Sequence, residues 1–362
     1  MPSTGQKTGV ANLPLHYGKV PPWLFGRMWQ LAREVTIAIV DEFGAQEMLR
    51  RLSDPYWFQA FGCVLGYDWH SSGVTTTICG ALKEGIRGRE KELGLFVAGG
   101  KGKTSRKTPA EIEGFGHLLK VNPSPLIYAS RMSAKVDSSA LQDGYQLYHH
   151  VFFFTADGSW AVVQQGMNDS NRYARRYHWL GDEVTDFVCE PEAAICSHAK
   201  GEALNLVASE STGARDIITH IAAEEKPEKI VSQLNKLKTL TLPQRSYIAP
   251  EDIHPDRLSK IFLSTYERKP QNFESLLGLA GVGPKTIRAL SLISELVYDT
   301  PVSLRDPARY SFAHGGKDGY PYPVDRKTYD SSIEFLTQAL DKAKIGDKEK
   351  INAFRRLKAW QA

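Results

Sequence analysis

The tetrapeptide Gly281-Val282-Gly283-Pro284 constrains this chain more than any other feature. Apolar residues recur at helical spacing on both sides of it, from Phe273 to Val297. Proline suits the first turn of a helix, where its missing N–H is not needed. Glycine opens backbone conformations that other residues resist, which permits a tight reversal. The spacing therefore predicts a short helix, a turn at Gly281 and Gly283, and a second helix from Pro284.

The first N–H groups of a helix have no partner inside it and can face an anion. Lys285 and Arg288 add positive charge to that first turn, beside Thr286. The pattern resembles the helix-hairpin-helix motif, which holds a DNA phosphate without reading bases. The alternative is an ordinary helical hairpin with a glycine turn.

With 362 residues the chain can build two or three domains with sizeable cores. Its 42% hydrophobic and 24% charged content is that of a globular protein. The net charge of +4 permits nucleic-acid binding without demanding it. Local charge says more, because residues 83–107 hold eight Lys/Arg against three Glu. No apolar run reaches the roughly 18 residues of a membrane span, and the N-terminus lacks the apolar core of a signal peptide. A cytoplasmic protein is expected. Cys63, Cys79, Cys189 and Cys196 form no CxxC pair. Cys189, Cys196 and His198 lack an evident fourth zinc ligand, so buried free thiols are expected instead.

The expected fold is α+β: mostly helical, with a small antiparallel β element in the middle and the helical hairpin near the C-terminus. A helix is predicted over 22–43, another over 74–86 and a third over 109–120. Ser53-Asp54-Pro55 reads as a helix start. Residues 95–107 read as a loop. Two β-branched and aromatic runs flank Asp157-Gly158, which predicts a β-hairpin over 145–166. Helices follow near 213–224, 227–238 and 255–267, and two more near 327–343 and 346–360. Two regions are expected, 1–205 with the chemistry and 206–362 with the helical hairpin.

Five stretches could carry chemistry. Gly99 to Lys107 holds Lys101, Lys103, Arg106 and Lys107 among glycines. It lacks the spacing of a nucleotide-binding P-loop and suits either a phosphate backbone or plain solvent. Arg131 to His150 gathers Lys135, Asp137, Asp143, His149 and His150 beside an apolar strand. A lysine amine becomes nucleophilic when desolvation or nearby cations lower its pKa, which makes Lys135 the candidate nucleophile. Asp137, Asp143 or His149 could then move protons. Arg172, Arg175 and Arg176 alternate with aromatics and could grip phosphate or stack. Asp68 and His70 could join a metal site, or Ser72 could cap the next helix. Residues 311–323 form a glycine- and aromatic-rich loop that could close over a ligand.

Thr8 to His16, Val20 to Leu24, Asp68 to Gly73, Leu141 to Tyr145 and Ser311 to Gly319 together resemble the archaeal and bacterial family called domain of unknown function 763. The likeness covers nearly the whole chain. The chain is also similar to archaeal proteins that act as abasic-site DNA lyases. That resemblance implies DNA repair, a lysine nucleophile and no metal, and carries no catalytic position.

The leading expectation is an abasic-site lyase, with Lys135 as nucleophile and Lys285, then Lys101 or Lys103, as competitors. DNA is the expected partner and no cofactor is needed. A metal-dependent nuclease is the alternative enzyme. It would draw Asp137, Asp143, His149 and Gln164 around Mg²⁺ or Mn²⁺, although no metal-nuclease spacing such as Glu-x-Lys is present. A DNA-binding protein without turnover is the third reading.

Overall fold

The computed structural model describes residues 15, 20–67, 71–197, 200–237, 254–308, 326–343 and 346–359. The segments holding Asp68, Trp69, His70, His198 and the 311–323 loop lie outside them.

The chain opens with α1 (Pro22–Phe43), α2 (Ala45–Ser53), α3 (Pro55–Leu65), α4 (Gly73–Ile86) and the short α5 (Glu90–Leu93). As expected, α1 begins at a proline. Asp54 caps α3, its Oδ1 accepting from the N–H groups of Tyr56 at 2.8 Å and Trp57 at 3.2 Å. Next come β1 (Leu95–Lys101), a 3-10 turn (Gly102–Lys107), α6 (Thr108–Gly114) and α7 (Ser124–Lys135). A π-turn (Val136–Ala140) leads into β2 (Leu141–Gln142). The strands β3 (Gln146–Thr155), β4 (Trp160–Asn168), β5 (Tyr173–Leu180), β6 (Ala194–Cys196) and β7 (Glu202–Asn205) follow. The chain then runs through α8 (Thr212–Glu224), α9 (Pro227–Leu237), α10 (Pro255–Arg268), α11 (Phe273–Gly278) and α12 (Pro284–Tyr298). It finishes with β8 (Ser303–Arg305), α13 (Arg326–Lys342) and α14 (Asp347–Ala359).

The fold is α+β and mostly helical. The predicted hairpin is β3–β4, and it sits inside an antiparallel sheet of order β1-β3-β4-β5-β6. A second sheet has the order β2-β7-β8.

One expectation is corrected here. Residues 95–101 are an edge strand and not a loop, paired to β3 from Leu95↔Thr155 to Lys101↔His149. Leu95 to Ala98 are buried, and burial of an apolar run next to a strand outweighs the glycines that follow it. Gly99 has φ +94°, and a Cβ there would lie 2.3 Å from the His150 carbonyl oxygen. This glycine serves strand packing.

Alternation along the strands divides the core in two. Phe96, Phe152, Phe154, Val162 and Trp179 pack on one face, with apolar residues of α6 to α12. Val97, Val151, Phe153, Ala161 and Val163 pack on the other, with α1 to α4, α13 and α14. The sheet is thus covered by helices on both faces. Position 205 is the last residue of β7, and the first of these clusters joins residues on both sides of it. Among the described residues no helix is long and apolar enough to cross a membrane.

Candidate active site

The helix α7 packs on β3 and β4 and against α11. Lys135 is the last residue of α7. Its Nζ donates to the carbonyl of Leu279 at 3.2 Å and to that of Val282, both in the turn. Gln142 supports the same turn, its Nε2 donating to the Pro284 carbonyl at 3.0 Å and to the Ser139 carbonyl at 2.9 Å. Arg288 Nε donates to Gln142 Oε1 at 3.0 Å. The two stretches expected to grip phosphate and to attack carbon are therefore joined by hydrogen bonds.

Partial burial lowers the Lys135 pKa. The two carbonyl acceptors act in the opposite sense, because a carbonyl hydrogen bond favours the ammonium. A nucleophilic amine needs Lys135 to leave Val282 and lose a proton.

Lys135 lines a cavity of about 510 Å³ between α7, the 3-10 turn and β3. Arg106 and Arg131 line it too, and no carboxylate does. Lys101, Lys103 and Lys107 are exposed nearby in sequence, and Lys101 Nζ stands 5.7 Å from the centre of the Tyr148 ring. Convergent cations in a concave wall favour an anion. At the rim the Tyr128 hydroxyl donates to Glu274 of α11. A larger cleft of about 750 Å³ lies between α9 and α10, away from this cluster.

A chain of hydrogen bonds runs inward from the cavity wall. Ser130 Oγ is 2.9 Å from His150 Nε2, and His150 Nδ1 is 2.9 Å from Gln164 Oε1. Gln164 Nε2 donates to Asp137 Oδ2 at 2.5 Å, which also accepts from Trp179 Nε1 at 2.8 Å. Burial, with Glu192 adding like charge, pushes the Asp137 pKa well above the usual carboxylate range. Burial pushes His150 down to about 4, so its ring is neutral near pH 7.

Several expected site residues are placed elsewhere. Asp143 Oδ2 accepts from Arg175 at 3.0 Å and from the Tyr177 hydroxyl at 2.7 Å. Arg175 also pairs with Asp306 through two bonds, 3.0 and 2.8 Å long. All three are buried. Arg175 is thus the centre of an ion triad and cannot reach a phosphate, and Asp143 is not free to shuttle protons. Arg176 is buried as well. Its Nε donates to His178 Nε2 at 2.9 Å, its NH1 and NH2 to Gln59 at 3.2 Å, and it covers the Phe58 ring at 4.5 Å. Thr286 is buried. Asp137 is fully buried behind Gln164 and does not line the cavity. Lys285, Arg172, Lys101, Lys103, Arg106 and Lys107 are exposed, Gly281 is exposed with φ +86°, and Gly283 is half-buried.

His149 lines the cavity, but its ring is buried and neither nitrogen has a partner. Burial, with His150 and Lys101 nearby, lowers its pKa to about 3. The set Asp137, Asp143, His149 and Gln164 does not converge, because Asp143 belongs to the Arg175 triad. Among the described residues no three His, Cys, Asp or Glu side chains are grouped to hold a metal ion. None of the four cysteines is in a disulfide; Cys79 and Cys196 are buried, and Cys63 and Cys189 are half-buried.

Ser130, Arg131 and Gln142 were not among the expected site residues. The His150↔Gln164 pair was legible from the hairpin register, which places them opposite each other. Ser130 carries no local signal.

The sequence profile of one protein family, described as a protein of unknown function (DUF763), matches residues 9–324. The chain belongs to DUF763. No curated protein and no solved structure matches it. The DUF763 match includes α7, the hairpin and the α11–α12 turn, so every residue of the cavity lies within it, while α13 and α14 begin after it.

Proposed function

We propose that this DUF763 chain is a DNA-repair lyase that binds DNA through the phosphate backbone and cuts at abasic sites. One observation carries the reading: a half-buried lysine amine sits in the wall of a cavity that three cations and no carboxylate line. We read α11, its turn and α12 as a helix-hairpin-helix. Pro284 at the helix start, Lys285 in the exposed first turn and Gly281 at positive φ support that reading. The first-turn N–H groups and Lys285 would hold one phosphate. Lys103, Arg106 and Lys107 would hold others.

An abasic site exposes an aldehyde at C1′. The uncharged Lys135 amine attacks it, water leaves, and a Schiff base forms. Loss of a C2′ proton then expels the 3′ phosphate. Lys135 leaves the Val282 carbonyl and gives up a proton to do this. Partial burial, which disfavours the ammonium, supports the same step.

The test is a labelled duplex with one abasic site, incubated in EDTA with and without borohydride. Cleavage together with a trapped covalent adduct, both lost in Lys135→Ala, is the expected result. An adduct that survives Lys135→Ala moves the nucleophile to Lys285 or Lys101. Cleavage that needs added Mg²⁺ or Mn²⁺ and gives no adduct replaces the lyase with a nuclease. Binding without cleavage leaves a backbone-binding protein.

A further inference from the structure

The lyase reading leaves open which residue removes the C2′ proton, because His149 lines the cavity with both ring nitrogens buried and unpartnered. Asp143 is locked to Arg175, and Asp137 does not line the cavity. Among the wall hydroxyls that of Ser130 is backed by an imidazole nitrogen, whereas that of Tyr128 donates to Glu274 at the rim.

The hydrogen-bond directions in the chain are fixed from its far end. Gln164 Nε2 faces Asp137 Oδ2 and, at 3.4 Å, the Ser133 carbonyl. A carbonyl only accepts, so this end of Gln164 is its NH₂. The other end, Oε1, must accept, so His150 Nδ1 carries the hydrogen. Its Nε2 is then a lone pair aimed at Ser130 Oγ, and the Ser130 hydroxyl donates to it. The neighbouring Trp179 Nε1 donor on Asp137 closes the network from the inside. Every member from Ser130 to Trp179 is buried, which holds the tautomer and the ring orientation in place.

Resting on the lyase reading, we propose that Ser130 is the catalytic proton acceptor of the β-elimination and that His150 is the positioning residue that takes the proton onward. In the Schiff base, Ser130 Oγ removes the C2′ proton while the Ser130 hydroxyl proton passes to His150 Nε2. The C2′–H electron pair forms the enamine and then expels the 3′ phosphate as the C3′–O bond breaks. Imidazolium at His150 shares its Nδ1 hydrogen with Gln164, whose amide is in turn polarised by Asp137. The proton leaves His150 by the same path, through Ser130, after the product departs. No oxidant, reductant or metal enters the balance.

The experiment separates the two chemical steps. Borohydride trapping reads Schiff-base formation, and single-turnover cleavage without borohydride reads elimination. Ser130→Ala removes one oxygen and is the least disruptive variant of the pair. It is expected to trap adduct within about twofold of wild type and to lose at least tenfold in cleavage. Cleavage equal to wild type would overturn the assignment of Ser130. So would an equal loss of trapping and cleavage, which a merely structural role predicts. A wild-type protein that forms no adduct would overturn the lyase reading itself, and this proposal with it. A variant-free measurement guards against misfolding: ¹⁵N spectra of the histidine rings should show His150 with hydrogen on Nδ1 at pH 7. Hydrogen on Nε2 instead would overturn the relay.

Discussion

The Lys135 ammonium donates to the backbone carbonyl of Val282, 147 positions further along the chain. That bond joins the end of α7 to the turn before α12. This lysine closes the turn as well as lining the cavity. Lys135→Ala is expected to cost about 1 kcal/mol of stability, since a charge-assisted hydrogen bond is worth about 1.5–3 kcal/mol when well buried and partial exposure reduces it. Urea unfolding checks this. A loss of adduct with so small a loss of stability would separate chemistry from folding.

Arg175 gives the opposite expectation. Arg175→Met leaves Asp143 and Asp306 buried without their cation. Breaking a buried ion pair from one side costs about 3–5 kcal/mol. The salt dependence of DNA binding by the folded variant should match wild type, because the guanidinium is buried. A changed slope would show that Arg175 reaches phosphate after all.

The exposed cations at Lys103, Arg106 and Lys107 should carry the salt dependence. Each phosphate contact contributes about 0.9 to the slope of log affinity against log salt. The triple alanine variant should lower that slope by up to about 2.7 and leave thermal stability nearly unchanged, since none of the three is buried. An unchanged slope would place the DNA elsewhere on the surface.

Acid stability has a predictable sign. His149, at about 3, and His150, at about 4, have depressed pKa values because burial disfavours their charged forms, and His178 lies well below its ordinary value for the same first reason. Between pH 6.5 and 4 the unfolded chain therefore binds protons at these rings that the folded chain refuses. Stability falls as pH falls through that window. Asp137 and Asp143 work against this. Their raised folded pKa values keep protons that the unfolded chain has lost, which favours the folded state on acidification. Toward pH 5 the three unfolded rings are almost fully protonated and outnumber the two carboxyls, so the histidines set the sign there. Stability should therefore fall as the pH drops from 5.5 to 4.5. Urea unfolding at pH 7, 5.5 and 4.5 measures it, and a flat or rising profile on acidification would contradict it.

Gly99→Ala tests the packing role of that glycine. A methyl at φ +94° and 2.3 Å from the His150 carbonyl forces β1 away from β3. Destabilisation of more than about 1 kcal/mol is expected, read by thermal unfolding. A neutral outcome would mean that the edge strand yields without cost.

Local pattern by itself determined much of the fold. The helix at Pro22–Phe43, the Asp54 cap, the hairpin around Asp157-Gly158 and the Gly281 to Pro284 reversal all follow from periodicity and turn chemistry, which act over a few residues. The expected cation cluster at Lys101 to Lys107 is exposed as a solvated charge run should be. Only the tertiary structure decided which polar residues do what. Asp143, Arg175 and Arg176 look in sequence like a proton shuttle and phosphate grips. Yet helices cover both faces of the sheet that carries Arg175 and Arg176, and Asp143 packs against Arg175, so all three lie inside the protein, where a buried charge persists only if paired. Lys135 and Val282, or Ser130 and His150, meet because helices and strands distant in sequence pack together. No local rule encodes that meeting, because it depends on which faces the sheet and helices bury against each other.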